Sequence, residues 1–275
     1  LLPVLILAAT PIGNLSDASQ RLRELLAHAD YLAAEDTRVV KQLATALGIK
    51  LHAKLFSLHE HNESERLAQL IEIAQSKDLV VVSDAGMPTV SDPGFQLVRL
   101  AAAEGIEITV VPGPSAVLAA LAVSGLPTDR FTFEGFIPRK SGDRKKFFGQ
   151  LVAEARTMVF FEAPHRIEES LSDAIEVFGA DRPASLSREL TKKFEQTIRG
   201  SLSNLLSWAA GEPKGEMVLV ISGSSSEATT VAELVAEVAK LTSNGVRLKD
   251  AVAQIAGIHG TSKSELYQAS LDARD

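Results

Sequence analysis

Short apolar runs alternate with amphipathic stretches over the first half of the chain. Val4–Ala9, Tyr31–Ala34, Lys54–Leu58, Leu79–Ser83 and Ile106–Val111 are brief, mostly apolar segments and read as strands. Between them, Asp17–His28, Val39–Leu47, Ser64–Gln75, Phe95–Glu104 and Ser115–Ser124 read as helices. Strand and helix alternate without a break. That order predicts an α/β unit built on a mostly parallel, doubly wound sheet.

Prolines and glycines then cluster from Gly125-Leu126-Pro127 to Gly135-Phe136-Ile137-Pro138, which marks a boundary. A second α/β unit is predicted beyond it, with strands at Thr157–Phe161, Ala184–Leu186 and Met217–Ser222. Ser222-Gly223-Ser224-Ser225-Ser226 has the composition of a flexible linker. The tail from Val231 reads as three short helices, interrupted at Asn244-Gly245 and at Gly257–Gly260. Ser262 followed by Glu265 is a capping-box pattern opening the last of them. The expected domains are therefore 1–127, 128–223 and a linker with a helical module at 224–275.

Composition narrows the chemistry. Apolar residues make up 45% of the chain but aromatics only 5%, so Ala, Leu, Val and Ile must fill the core. The absence of cysteine removes thiolate zinc sites, cysteine nucleophiles and iron–sulfur clusters. It also fits a reducing, cytoplasmic setting. A net charge of −7 argues against a general nucleic-acid binder, so any RNA contact must come from a local patch. The apolar opening, Leu1–Ala9, is far shorter than the ~20 residues a membrane helix needs. No basic segment precedes it, as a signal peptide would require.

Three loops fall at carboxyl ends of predicted strands, where open parallel sheets bind ligands. They are Thr10-Pro11-Ile12-Gly13-Asn14, the long Ser83–Gly94 segment, and Pro112-Gly113-Pro114-Ser115-Ala116. Ordinary βα turns use the same residue types, but three together point to a shared small-molecule site. Neither a G-x-G-x-x-G fingerprint nor a Walker loop is present, so a pyrophosphate ligand lacks its usual cradle. Backbone amides, carbonyls and carboxylates suit a ligand with an amino-acid end, a ribose and an adenine.

These loops, together with Glu35-Asp36-Thr37-Arg38, Glu162-Ala163-Pro164-His165-Arg166 and Arg188-Glu189-Leu190-Thr191-Lys192, resemble the ribosomal RNA small subunit methyltransferase I family. That family is the RNA-directed branch of the tetrapyrrole methylase superfamily, and the resemblance covers nearly the whole chain. It implies a two-domain tetrapyrrole-methylase-like fold and S-adenosyl-L-methionine as cofactor. It further implies 2′-O-methylation of a cytidine in the decoding region of 16S ribosomal RNA, within the small ribosomal subunit, by a homodimer. The cofactor contacts it implies are Pro11, Gly13, Asp84, Ala85, Gly86, Ser115, Ala116, Phe161 and Glu162. Phe161 departs from the tyrosine common at that position, so no hydroxyl is available there.

Methyl transfer to a ribose hydroxyl needs orientation, exclusion of water and an acceptor for the proton, but no metal. Histidine can accept a proton near neutral pH, which favours His165 as base, with Glu35 and Arg188 as positioning groups. Asp36 could instead cap the following helix. Candidate RNA contacts are Arg38, Arg166, Lys192 and the basic run Arg139, Lys140, Arg144, Lys145 and Lys146, although such a run is also what a solvated face looks like. Three other readings compete. A tetrapyrrole-precursor methyltransferase would share the cofactor loops. A DNA-binding protein would use the helical tail, and a nicotinamide dehydrogenase lacks its fingerprint.

Overall fold

The computed structural model describes residues 3–59, 63–211, 213–224, 231–243, 245–259 and 261–273. Two compact units divide it, Leu1–Gly223 and Ser224–Asp275. The larger unit holds two five-stranded sheets.

In the first sheet β1 (Val4–Ala8), β2 (Tyr31–Ala34), β3 (Lys54–Ser57), β4 (Leu79–Val82) and β5 (Glu107–Val111) lie in the order β3-β2-β4-β1-β5. Every pairing is parallel, in keeping with the uninterrupted alternation of the sequence. β4 is buried along its whole length, as a central parallel strand covered on both faces must be. α3 (Glu63–Ser76) and α4 (Phe95–Ala103) cover one face, over Leu5, Ala33, Phe56 and Val81. α1 (Gln20–His28) and α2 (Thr37–Ala46) cover the other, over Ala8, Leu32, Ala34 and Val82. Ser19 and Asp36 cap these two helices, accepting from the backbone N–H groups of Leu22 and Arg38. A 3-10 turn at Leu15–Asp17 precedes α1, so the stretch predicted as one helix from Asp17 starts later.

The fifth helix changes sheets. α5 (Ala116–Ser124) starts at the end of β5, yet Val117, Ala120 and Leu121 pack on Val159, Val218 and Val220 of the second sheet. Burying a valine or leucine is worth about 1.5–3 kcal/mol, so this seam fixes the helix firmly.

The second sheet is mixed. β6 (Phe131–Phe136), β7 (Thr157–Glu162), β8 (Pro183–Arg188), β9 (Gln196–Ser201) and β10 (Met217–Ile221) run β6-β7-β10-β8-β9. Only β6 and β7 pair in parallel; the other pairs are antiparallel. α6 (Ser141–Leu151), α7 (Ile167–Phe178) and α8 (Leu202–Ala209) cover the face opposite α5, around Phe148, Phe160, Leu171, Leu205 and Leu219.

The smaller unit packs α9 (Val231–Ser243), α10 (Leu248–His259) and α11 (Lys263–Asp272) around Leu234, Val238, Ala251, Ile255 and Leu266. Ser262 caps α11, accepting from Glu265 N–H at 3.4 Å. Gly257, expected to break a helix, lies inside α10. The readings at 225–226, Asn244 and Gly260 lie outside the described residues. No described helix is long and apolar enough to cross a membrane.

Candidate active site

The strands preceding the three loops, β4, β1 and β5, are direct neighbours, and this brings the loops together. Thr10 and Gly86 exchange backbone hydrogen bonds at 2.9 and 3.2 Å, stitching the first loop to the second. Thr10 Oγ1 donates to the Ser83 carbonyl, and Ser83 Oγ lies 3.1 Å from the Gly86 carbonyl, within reach of Asp92 as well. A Cβ on Gly113 would stand 2.8 Å from Ala9 Cβ, so the third loop approaches β1 as only glycine permits. Gly86 has φ +84°, and Thr89 and Ser91 also hold positive φ, 75° and 62°. The long loop is therefore strained at two non-glycine positions, a feature that concentrates at ligand clamps.

A cavity of about 390 Å³ opens between these loops and the second sheet. Ile12, Ala85, Gly86, Met87, Val90, Asp92, Ser115, Ala116 and Val117 form the wall on the first-sheet side. Phe136, Phe161, Glu162, Ala163, Pro164, Leu190, Glu216, Met217 and Val218 form the other. Its size and mainly apolar lining with few polar groups are those of a small-molecule site.

Four carboxylates gather at the carboxyl ends of β2 and β4. Asp36 is tied to Arg38 at 2.6 Å, and that hydrogen bond holds its pKa down at about 2. Asp84 accepts from Asp36 N–H at 3.1 Å; burial nevertheless pushes its pKa up. Asp92 lines the cavity, and its pKa is pushed up to about 6, first by burial and then by the negative charge of Glu35. A hydrogen bond from Ser83 opposes the rise, and Asp84 adds to it. Asp92 is thus a carboxylate short of positive charge beside a cavity. The sequence contained it in the long loop, where the resemblance pointed to Asp84 and not to Asp92.

The opposite wall is braced. Glu162 accepts from Ala163 N–H at 2.7 Å, from Ser170 Oγ and from Arg166 at 3.2 Å. Arg166 also donates to the Ile137 carbonyl. Lys192 Nζ bonds Glu189 at 3.0 Å and Glu216 at 2.9 Å. Its stem covers Gly13, where a Cβ would fall 2.4 Å from Lys192 Cγ. Asn14 N–H donates to Thr191 Oγ1 at 3.1 Å, which fastens the two walls together.

The expected site residues divide accordingly. Ala85, Gly86, Ser115, Ala116, Phe161 and Glu162 line the cavity. Pro11, Gly13 and Asp84 stand outside that lining: Pro11 is buried behind it, Gly13 sits under Lys192, and Asp84 holds the Asp36 backbone. His165 is exposed on a 3-10 turn, Pro164–Arg166, one residue past the lining. Glu35 lies beside Asp92 rather than in the lining. Arg188 is spent on Gln196, on the Lys214 carbonyl and on the Trp208 ring.

The basic run needs correction. Arg144 is 1% exposed and points into the second sheet's helical layer, where Nε meets Asp173 at 2.5 Å. Burial pushes the Asp173 pKa up, but hydrogen bonds from Arg144 and Ser141 outweigh it and the net shift is downward. Lys145 pairs with Glu176 and Asp173. Arg166 and Lys192 are likewise engaged as braces, and Arg38 is paired with Asp36. Arg139, Lys140 and Lys146 are exposed and, among the described residues, form no ion pair. The described residues contain no group of three or more acids or histidines placed to hold a metal ion.

Residues 4–206 match the family of tetrapyrrole (corrin/porphyrin) methylases. A protein of Mycobacterium tuberculosis (strain CDC 1551 / Oshkosh) named ribosomal RNA small subunit methyltransferase I is 46% identical over 272 residues, 98% of this chain and 95% of its own length. A protein of the same name from Escherichia coli O157:H7 is 41% identical over 273 residues, 98% and 94% of the two chains. The chain belongs to the ribosomal RNA small subunit methyltransferase I family. Solved structures share the fold of this family at low identity. A diphthine synthase is 18% identical with a TM-score of 0.59, covering 80% of this chain and 89% of its own. Uroporphyrin-III-C-methyltransferase from Thermus thermophilus is 19% identical with a TM-score of 0.55, covering 80% and 94%.

Proposed function

We propose that this chain transfers the methyl group of S-adenosylmethionine to the ribose 2′-hydroxyl of a cytidine in the decoding region of 16S ribosomal RNA. The observation that carries the cofactor reading is Asp92, a carboxylate beside the cavity whose charge is opposed by burial, Glu35 and Asp84. A cationic ligand relieves that opposition, and S-adenosylmethionine carries an ammonium and a sulfonium. Ala85, Gly86, Ser115 and Ala116 would meet it from one wall, and Phe161, Met217 and Val218 from the other. When bound, it supplies the activated methyl group.

The chain's own residues then hold the ribose, exclude water and take a proton. Apolar Phe161 and Leu190 keep water from the transfer. Glu162 already accepts three hydrogen bonds and serves as a brace rather than a base. We assign proton uptake to His165, with Glu35 steering Asp92 and Arg188 holding the second wall. A positioned base contributes about 10²–10⁴-fold. Exposed Arg139, Lys140 and Lys146 supply phosphate contacts on an otherwise acidic protein. The small ribosomal subunit as substrate, a homodimeric state and a cytoplasmic location complete the proposal.

The test is incubation of the purified protein with methyl-labelled cofactor and small ribosomal subunits from cells lacking the gene, with uroporphyrinogen in a parallel reaction. Nucleoside mass mapping should find label as 2′-O-methylcytidine. Label on a base, or only on the tetrapyrrole, overturns the proposal.

A further inference from the structure

Phe136 is 62% exposed, although it belongs to a sheet and lines the cavity. Its exposure follows from a break in strand pairing. β6 and β7 pair regularly through Phe133↔Val159, and the register then shifts before Phe136↔Phe161. Gly135, inside the shift, has φ +73°, which a side-chain-bearing residue rarely adopts. Bulges of this kind turn a side chain away from its ordinary direction, and they recur beside active sites. The turned ring is nevertheless held. Phe136 meets Phe161 edge-on at 5.3 Å, and Phe161 meets Phe133 edge-on at 4.9 Å. The same bulge places Gly135 opposite Ser91, one of the strained residues of the long loop.

An aromatic ring fixed by its neighbours and left open at the mouth of the cavity is a surface for another flat ring. Exposed Val90 stands on the opposite wall. Arg139 and Lys140 follow Phe136 closely in the chain and are exposed, cations in a protein that as a whole carries −7. Stacking surface and positive charge together are the pattern that holds single-stranded nucleic acid. We propose that Phe136 is the platform on which one unstacked base of the substrate RNA lies, so that its ribose is presented to the cavity. The inference rests on the ribosomal RNA reading above and adds a positioning residue to it.

The test compares Phe136→Ala, Phe136→Leu and Phe136→Trp in methyl transfer to small ribosomal subunits, with cofactor affinity measured separately by calorimetry. Stacking predicts that the Ala and Leu variants raise KM for the subunit about tenfold or more, that Trp restores it, and that cofactor affinity stays within twofold in all three. Two results overturn the platform. One is a Leu variant as good as Trp, which makes the contact mere apolar packing. The other is a loss confined to cofactor affinity, which makes Phe136 part of that site. A wild-type protein that transfers no methyl group to ribosomal RNA overturns the function proposed above, and this inference with it. A wild-type protein that does so alongside an unimpaired Ala variant overturns this inference alone.

Discussion

Arg144 Nε and Asp173 Oδ2 stand 2.5 Å apart between α6 and α7, with both side chains buried. Breaking a buried pair costs about 3–5 kcal/mol when the remaining charge has no other partner; Asp173 would keep only Ser141 and the more distant Lys145, which places the loss toward the lower end. Arg144→Ala should therefore lower the denaturation midpoint sharply and leave cofactor binding intact in the folded fraction. Urea titration followed by circular dichroism checks this; a change below 1 kcal/mol would mean that Ser141 and Lys145 suffice to hold Asp173.

Arg139, Lys140 and Lys146 should behave in the opposite way. Replacing all three by Ala removes phosphate contacts without touching the core. Stability should hold, RNA affinity should fall, and the slope of log K against log salt should flatten by about 2. Filter binding at several salt concentrations measures it, and an unchanged slope would make these residues ordinary solvated charges.

Asp92 titrates at about 6, and only its ionised form pairs with a cation. Cofactor affinity should therefore rise with pH through about 6 and then level off. Binding below that point should release a proton. Asp92→Asn should weaken binding and erase the pH dependence, read by calorimetry in two buffers of different ionisation enthalpy. The ligand-free protein shows the complementary effect. A carboxyl whose folded pKa lies above its unfolded value, here 3.8, stabilises the fold at low pH and loses that contribution as pH rises from about 4 to 6. Asp92→Asn should remove that fall.

Gly113 leaves no room for a methyl group, since a Cβ there would lie 2.8 Å from Ala9 Cβ. Gly113→Ala should cost about 1–3 kcal/mol by overpacking and displace the loop carrying Ser115 and Ala116. Thermal melting with and without cofactor checks both effects; an unaltered midpoint would mean that the backbone yields freely.

His165→Ala should lower the single-turnover rate at saturating RNA and cofactor, with neither affinity changed. A variant that keeps the rate assigns the proton to water.

The parallel first sheet was legible because each strand is an apolar run and each helix repeats at its own period; Tyr31–Ala34 even has the predicted ends. Two strands of the second sheet were not legible, for different reasons. β9 carries one large apolar side chain, Ile198, because it is an edge strand bonded along one side. β6 is flanked by the glycines and prolines of a boundary, and its bulge interrupts the alternation of Phe131 and Phe133. The cavity loops could be found because glycine and proline mark turns. Arg144 was misread because side-chain direction within a basic run depends on a partner 29 residues away. Asp92 was missed for a similar reason, since its altered acidity comes from burial first and then from Glu35 and Asp84, all of them set by the folded chain.

α5 gives the cavity an unusual thermodynamic character. Its first turn contributes Ser115, Ala116 and Val117 to one wall, while the rest of the helix is seated on the sheet that supplies the other. Arg199, on β9, donates to the Val123 carbonyl near the helix end, closing the loop of contacts. A molecule held by that first turn is thereby coupled to both sheets through one rigid body. Ligand binding should raise the melting of residues 4–221 as a single calorimetric transition, and hydrogen exchange should slow on β7 and β10 as much as on β1 and β4.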